Sequence, residues 1–290
     1  MTVTASMVKQ LRERTGSGMM ECKKALVECG GDIEAAAELM RKSGAAKADK
    51  KAGRIAADGV IKAKISEDGT LAVILEINSE TDFVAKDDHF QSFAEQVMQA
   101  VMKSKPASVA ALQMLVLDNG QTVEETRQAL IAKVGENIQV RRFELIESDQ
   151  TIACYLHGMR IGVLVESSVD VDMTRDIAMH IAAANPQFVD ATEVPAAVVE
   201  KEKAILFAQA ESSGKPPAII EKMTQGRLQK FLAEITLMGQ PFIKDTEQTV
   251  AQLVAKANGS IQRFIRYEVG EGIEKKVEDF AAEVAAQLNS

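Results

Sequence analysis

Six positions match at a single spacing, five of them identical and one an Ile against a Val. Leu130, Ile131, Ala132 and Lys133, followed by Ile138 and Gln139, match Leu253, Val254, Ala255 and Lys256, followed by Ile261 and Gln262, each pair 123 positions apart. In both stretches a helical run gives way to a strand, and helix then strand closes each half. The spacing predicts a duplicated α+β unit, each copy built from a hairpin, helices and a closing strand.

The first copy reads as follows. Val60 to Ile65 alternates like a half-buried strand, Asp68-Gly69 supplies a hairpin turn, and Leu71 to Ile77 returns. Phe90, Phe93, Ala94, Val97 and Val101 form a core-facing stripe on a helix. Thr122-Val123-Glu124-Glu125 is a capping box that opens a further helix ending at Gly135, and Ile138 to Ile146 is the third strand. In the second copy Thr151 to Leu156 and Ile161 to Glu166 form a hairpin around His157-Gly158. A helix from Met173 to Ala184 follows, stopped by Asn185-Pro186. This copy is interrupted by a helical hairpin, Pro195 to Ser212 and Ala218 to Glu234, turning at Ser213 to Pro217. Two helices alone bury one stripe poorly, so a homodimer or a partner contact is expected there.

Ahead of the duplication, residues 4 to 44 predict three short helices. Thr4 caps the first, which stops at Thr15-Gly16; Ser17 opens the second, closed by Gly30-Gly31; Asp32 caps the third, which Gly44 ends. A basic linker helix from Lys47 to Arg54 leads into the first copy. The adjacent Met19 and Met20 point about 100° apart on a helix, so one of them is expected to be exposed as an adaptable protein contact. At the other end, Gly270-Glu271-Gly272 breaks the last strand, and Ile273 to Leu288 predicts an amphipathic tail helix.

Charge is unevenly spread. Residues 1–54 hold eleven Lys/Arg against seven Asp/Glu, net +4, so the remainder carries −12 of the overall −8. That basic segment suits an acidic protein surface, a light touch on RNA, or simply a solvated helix face. The chain as a whole lacks the concentrated positive field of a nucleic-acid binder, and with no Trp and two Tyr it offers no platform for stacking bases. Three cysteines argue against a disulfide framework and fit a reducing cytoplasm. Met1 to Ser6 has neither a basic nor an apolar signal region, and no apolar run approaches the roughly 18 residues of a membrane span.

A catalytic reading fails on inventory. His89, His157 and His180 fall in different predicted elements, and neither Gly-x-Ser-x-Gly nor His-Glu-x-x-His accompanies them. The Thr15-Gly16-Ser17-Gly18 turn lacks the Gly-Lys-Ser/Thr of a phosphate cradle, and Cys22 and Cys29, with no nearby His or third Cys, read as small core residues rather than metal ligands. Asp82, Asp87 and Asp88 suggest a carboxylate site, but Asp87 or Asp88 has an evident task capping the following helix. What stands out is Phe83, a large aromatic in the polar connection Ser79-Glu80-Thr81-Asp82-Phe83-Val84-Ala85-Lys86-Asp87, where turn chemistry favours Ser, Gly or Asn. Either it folds into the core or it is displayed to a partner.

Thr81-Asp82-Phe83-Val84, the Thr15 to Lys23 stretch, and Arg160-Ile161-Gly162-Val163-Leu164 together resemble the bacterial elongation factor Ts family, and the likeness extends to Gly270 through Lys275. Ser79-Glu80 departs from it, since many members carry Cys followed by Gln or Glu, and so does Met159, where a small residue is usual. The resemblance implies an α+β fold: an N-terminal three-helix bundle like a ubiquitin-associated domain (1–54), a first core unit (55–148), a second (149–270) interrupted by a dimerising hairpin (187–234), and a C-terminal helical module (271–290). It implies a non-enzymatic, cytoplasmic guanine-nucleotide exchange factor for the GTPase elongation factor Tu, without cofactor or metal of its own and without direct nucleotide, nucleic-acid or membrane binding. By match, Thr81, Asp82, Phe83 and Val84 would dislodge the partner's Mg²⁺, while Arg12, Met19, Met20 and His157 would be partner contacts. An RNA-associated adaptor acting through the basic segment is the alternative, and a small-molecule enzyme using the Asp82 region is a third reading.

Overall fold

A computed structural model describes residues 3–212 and 214–274. The chain is mixed α+β and falls into two compact units. Unit 1 comprises the described residues of Met1–Val60, Glu76–Arg142 and Val269–Ser290; unit 2 comprises Ile61–Leu75 and Phe143–Glu268.

Unit 1 begins with helices α1 (Ala5–Thr15), α2 (Met19–Glu28) and α3 (Ile33–Lys51). The Thr4 hydroxyl accepts from the Met7 N–H, and Gly16, at φ 66°, ends α1 in the left-handed region that glycine reaches without strain. Leu11, Cys22, Leu26 and Ala36 form the small core of these helices. Two helix boundaries differ from the sequence reading. Gly18, not Ser17, occupies the N-cap of α2. More consequentially, Gly44 does not end α3, which continues through the supposed linker helix to Lys51. Gly44 is buried inside the helix, where a Cβ would lie 3.6 Å from the Cβ of Ala132. Its missing side chain serves close helix packing rather than a stop.

Three strands follow the expected plan: β1 (Asp58–Ile65), β2 (Leu71–Ser79) and β3 (Ile138–Glu147), in the order β1-β2-β3. Every residue of β2 is buried. One of them is Glu76, a carboxylate that burial alone would push up in pKa. The Gly270 N–H, Asn78 and Arg142 instead hold it below the ordinary range. Glu76 Oε1 accepts from Gly270 at 2.8 Å and from Arg141 at 3.0 Å, while Oε2 meets Arg142 Nε at 2.6 Å.

Between β2 and β3 come the one-turn helix α4 (Asp82–Ala85), then α5 (Asp88–Ser104), α6 (Val109–Gln113) and α7 (Val123–Val134). Asp87 caps α5, whose stripe of Phe90, Phe93, Ala94, Val97 and Val101 is buried as expected. The capping box at Thr122 and Glu125 opens α7. α3 packs along α7, with Arg41 paired to Glu125 at 3.2 Å and Lys51 Nζ donating to the Gly135 carbonyl.

The strands of the second copy, β4 (Thr151–His157), β5 (Ile161–Ser167) and β8 (Ile261–Glu268), pair antiparallel in the order β4-β5-β8. In each sheet the closing strand lies beside the second strand of the hairpin, so the two copies share one strand order. Tyr267 donates its hydroxyl to Glu144 Oε1 at 2.8 Å, and these two positions stand at that same separation. α8 (Val171–Ala184) covers this sheet, and Val163, Val165, Ile177, Ile181, Leu237, Phe242, Val250 and Val254 belong to its core. α9 (Ala196–Glu211) and α10 (Pro217–Ile235) form the inserted hairpin. The small ribbon β6 (Pro241–Phe242) and β7 (Asp245–Thr249) carries no run long enough to announce itself in the sequence, and α11 (Val250–Lys256) precedes β8. The tail helix predicted over Ile273–Leu288 lies outside the described residues beyond Glu274. No described helix is long and apolar enough to cross a membrane.

Candidate functional site

Phe83 is displayed. It is 81% exposed on α4, while Ala85 in the same turn and Phe90 just beyond it are buried. A helix of four residues has little stability of its own, because nucleation fixes several dihedrals for one hydrogen bond. Its geometry therefore depends on what grips it.

The grip comes from both ends. Thr81 is the N-cap, its hydroxyl accepting from the Val84 N–H at 3.4 Å. Glu136, in the turn between α7 and β3, takes both donors of Thr81: the backbone N–H at 2.9 Å on Oε2 and the hydroxyl at 2.7 Å on Oε1. Beside it the Asn137 N–H donates to Glu80 Oε1 at 2.6 Å, and Asn137 Nδ2 donates to the Arg54 carbonyl at 2.8 Å. Ser79 Oγ donates to the Thr81 carbonyl at 2.8 Å. At the far end Gln91 Nε2 donates to the Ala85 carbonyl at 2.6 Å. Asp82 pairs with Lys86 at 2.6 Å across the surface, a contact that water screens heavily. The result is an aromatic held outward on a braced turn, with no burial of its own.

Other residues singled out from the sequence lie elsewhere. Arg12 is exposed on the last turn of α1, and only Gly16, Ser17 and Gly18 separate α1 from α2. Met19 and Met20 are 58% and 76% exposed, so both face outward where one was expected to. Met20 and Val27, with Lys23 and Lys24, line a shallow groove on α2. His157 belongs to unit 2, exposed at the end of β4 with Tyr155 Oη 3.3 Å from its Nδ1. His180 is buried: Nδ1 accepts from the Ile243 N–H at 3.2 Å, leaving Nε2 to donate to Gln240 Oε1 at 2.9 Å. Burial lowers its pKa against the opposing Gln240 bond. Cys22, Cys29 and Cys154 are free thiols, and burial raises that of Cys154. Among the described residues no group of three or more His, Cys, Asp or Glu is placed to hold a metal ion.

Glu136 and Asn137 escaped the sequence reading, which noted Glu80 without a task. The only local signal was a Glu-Asn pair after the Gly135 helix stop, which reads as an ordinary polar turn.

Comparison with known proteins decides the family. Residues 80–271 match the family model described as elongation factor TS. The chain belongs to the elongation factor Ts family. It is 60% identical over 290 residues to elongation factor Ts of Thioalkalivibrio sulfidiphilus, covering 99% of each chain. It is also 60% identical over 289 residues to that of Alkalilimnicola ehrlichii, again with 99% coverage of both. For the Methylococcus capsulatus relative the identity is 58% over 292 residues and the whole of both chains. Membership makes this chain a nucleotide exchange factor of translation elongation, and the family implies elongation factor Tu as its partner.

Proposed function

We propose that the Thr81-Asp82-Phe83-Val84 turn is the part of this chain that opens the nucleotide site of elongation factor Tu. The observation that carries this reading is Phe83, four-fifths exposed on a turn braced at both ends. A GTPase holds GDP through P-loop amides and a Mg²⁺ that bridges phosphate oxygens. The factor need not touch the nucleotide. It stabilises a partner conformation in which the metal site is spoiled, with Phe83 wedged between the partner's side chains and Asp82 holding the displaced segment. No bond is made or broken, so this is exchange and not chemical catalysis.

Magnitudes suffice. Burying an exposed Phe side chain is worth roughly 1.5–3 kcal/mol, and each tenfold gain in release needs about 1.4 kcal/mol of differential binding. The wedge alone therefore accounts for about one to two powers of ten, and by reciprocity GDP weakens the factor's binding as much as the factor weakens GDP.

The remaining contacts follow the same reading. Residues 1–54, folded like a ubiquitin-associated domain, dock on the GTPase domain through Arg12, Met19 and Met20. His157 meets a second domain of the partner from the second core unit, and α9–α10, which expose Ile205, Phe207 and Ile219, pair with a second copy. The protein works in the cytoplasm without binding nucleic acid. In favour of that last point, many cations of the basic segment are already engaged: Arg14 with Glu34, Arg41 with Glu125, Lys42 with Glu38 and Lys47 with Glu21.

The test is release of labelled GDP from elongation factor Tu. The parent protein accelerates release, and Phe83→Ala lowers the maximal rate by about 10- to 100-fold. Unchanged acceleration by the variant removes the wedge.

A further inference from the structure

We propose that Glu136 is a positioning residue for exchange: its carboxylate holds the Phe83 turn in the pose that enters the partner. The inference rests on the role given to Phe83 above and concerns a residue on a different element, 53 positions further along the chain.

The geometry is specific. Glu136 follows Gly135, whose φ of 84° turns the chain out of α7 and presents the next side chain to the β2–α4 connection. Both carboxylate oxygens are spent on one residue, Thr81, through its N–H at 2.9 Å and its hydroxyl at 2.7 Å. The hydroxyl that donates to Glu136 is the same one that accepts from the Val84 N–H, so the carboxylate fixes the rotamer that caps α4. Asn137 extends the clamp by donating its N–H to Glu80. Nothing in this arrangement buries Phe83. Its effect is to remove freedom from the backbone that carries Phe83 before the partner arrives.

Preorganisation of this kind is felt where the aromatic must enter the partner, not in the encounter. A loosened turn still allows docking through the other surfaces, but each complex must first order the turn, and that ordering is taken out of the differential binding that drives release. The two steps separate kinetically.

The experiment measures labelled-GDP release from elongation factor Tu across a range of factor concentrations, for the full chain and for Glu136→Ala, Glu136→Gln, Phe83→Ala and the Phe83→Ala/Glu136→Ala double variant. Glu136→Ala is expected to lower the maximal release rate about tenfold, the loss of one to two charge-assisted hydrogen bonds, with the half-saturating concentration changed less than about twofold. Glu136→Gln keeps one acceptor for Thr81 and recovers part of the rate. In the Phe83→Ala background Glu136→Ala produces no further slowing, because the group it positions is gone. Amide hydrogen exchange of the free protein gives a readout independent of the partner: residues 82–86 exchange about tenfold faster in Glu136→Ala while α5 and α7 keep their protection.

A parental release rate in Glu136→Ala overturns the proposal while leaving the Phe83 reading intact. Further slowing in the Phe83→Ala background also overturns it, since Glu136 then acts elsewhere. A parental rate in Phe83→Ala overturns the display of Phe83 and the positioning role with it.

Discussion

At the scale of single residues, two side chains owe their behaviour to what grips them: Phe83 stays exposed on a turn tied to Glu136, and His180 is enclosed between Gln240 and the Ile243 N–H. Phe83 was visible as an aromatic out of place in a polar turn. The Glu136 clamp was not, because a hydrogen bond between positions 81 and 136 leaves no periodic trace in either segment. His180 was legible only as one of three histidines in separate elements, and its surroundings decide what it does. It is buried between Gln240 and the Ile243 N–H, with its ring 5.9 Å from that of Phe242, and burial holds its pKa below the usual value. The sign follows. The unfolded chain takes up a proton near pH 6.5, whereas the folded imidazole resists it, so the unfolded state binds more protons as pH falls. Stability contributed by neutral His180 is complete above about pH 6.5 and declines as the pH drops toward the folded pKa. Urea unfolding at pH 7.5 and 5.5 is expected to show this loss in the parent and a smaller difference between the two pH values in His180→Gln. That variant is also expected to be about 1–3 kcal/mol less stable at pH 7.5, from the disturbed buried hydrogen bonds. An equal pH difference in both proteins rules out His180 as its source.

At the scale of elements, local patterns carried most of the helices and strands. Capping residues at Thr4, Asp32, Asp87 and Thr122 were legible because a cap is a contact within four residues. Gly44 was misread for the complementary reason: a glycine that stops a helix and one that admits a neighbouring helix are the same letter. Tertiary packing against Ala132 decided the matter. The distinction is measurable. Gly44 does not sit at positive φ, and an added Cβ meets Ala132 at the ordinary contact distance of 3.6 Å. Gly44→Ala is therefore expected to stabilise the protein by roughly 0.5–1 kcal/mol through helix propensity. Gly44→Leu is expected to be destabilising by roughly 1–3 kcal/mol, because the larger side chain must push α3 from α7. Chemical denaturation of the two variants checks both signs. A loss of stability in Gly44→Ala would show that the added methyl does not fit between α3 and α7 at that distance.

At the scale of the whole molecule, the repeat announced two like units that each end on a third strand, but which hairpin strand it joins came only with the fold, where both sheets place it beside the second. Beyond that, sequence distance misleads. A chain read in order places a boundary after residue 54, yet Met1–Val60 clusters with Glu76–Arg142 in one compact unit. The contacts responsible are Arg41 with Glu125, Lys51 with the Gly135 carbonyl, and Asn137 with the Arg54 carbonyl. These join segments more than 80 residues apart, each anchored on α3 or its end, and α7 carries the other side. Removing residues 1–54 therefore takes away more than a docking surface. It uncovers the α7 face on which α3 lies and releases Asn137, one of the residues beside the Phe83 turn. Such a truncation is expected to lower the melting temperature of the remainder, by about 2–4 °C for each kcal/mol of lost packing. It is also expected to slow maximal GDP release beyond what weaker docking explains, so that saturating factor does not restore the parental rate. Removing only residues 1–31 leaves α3 and its contacts with α7 in place, and high factor concentration should then recover most of that rate. Two truncations with the same melting temperature and the same saturating rate would show that α3 contributes nothing to unit 1 beyond carrying the first two helices.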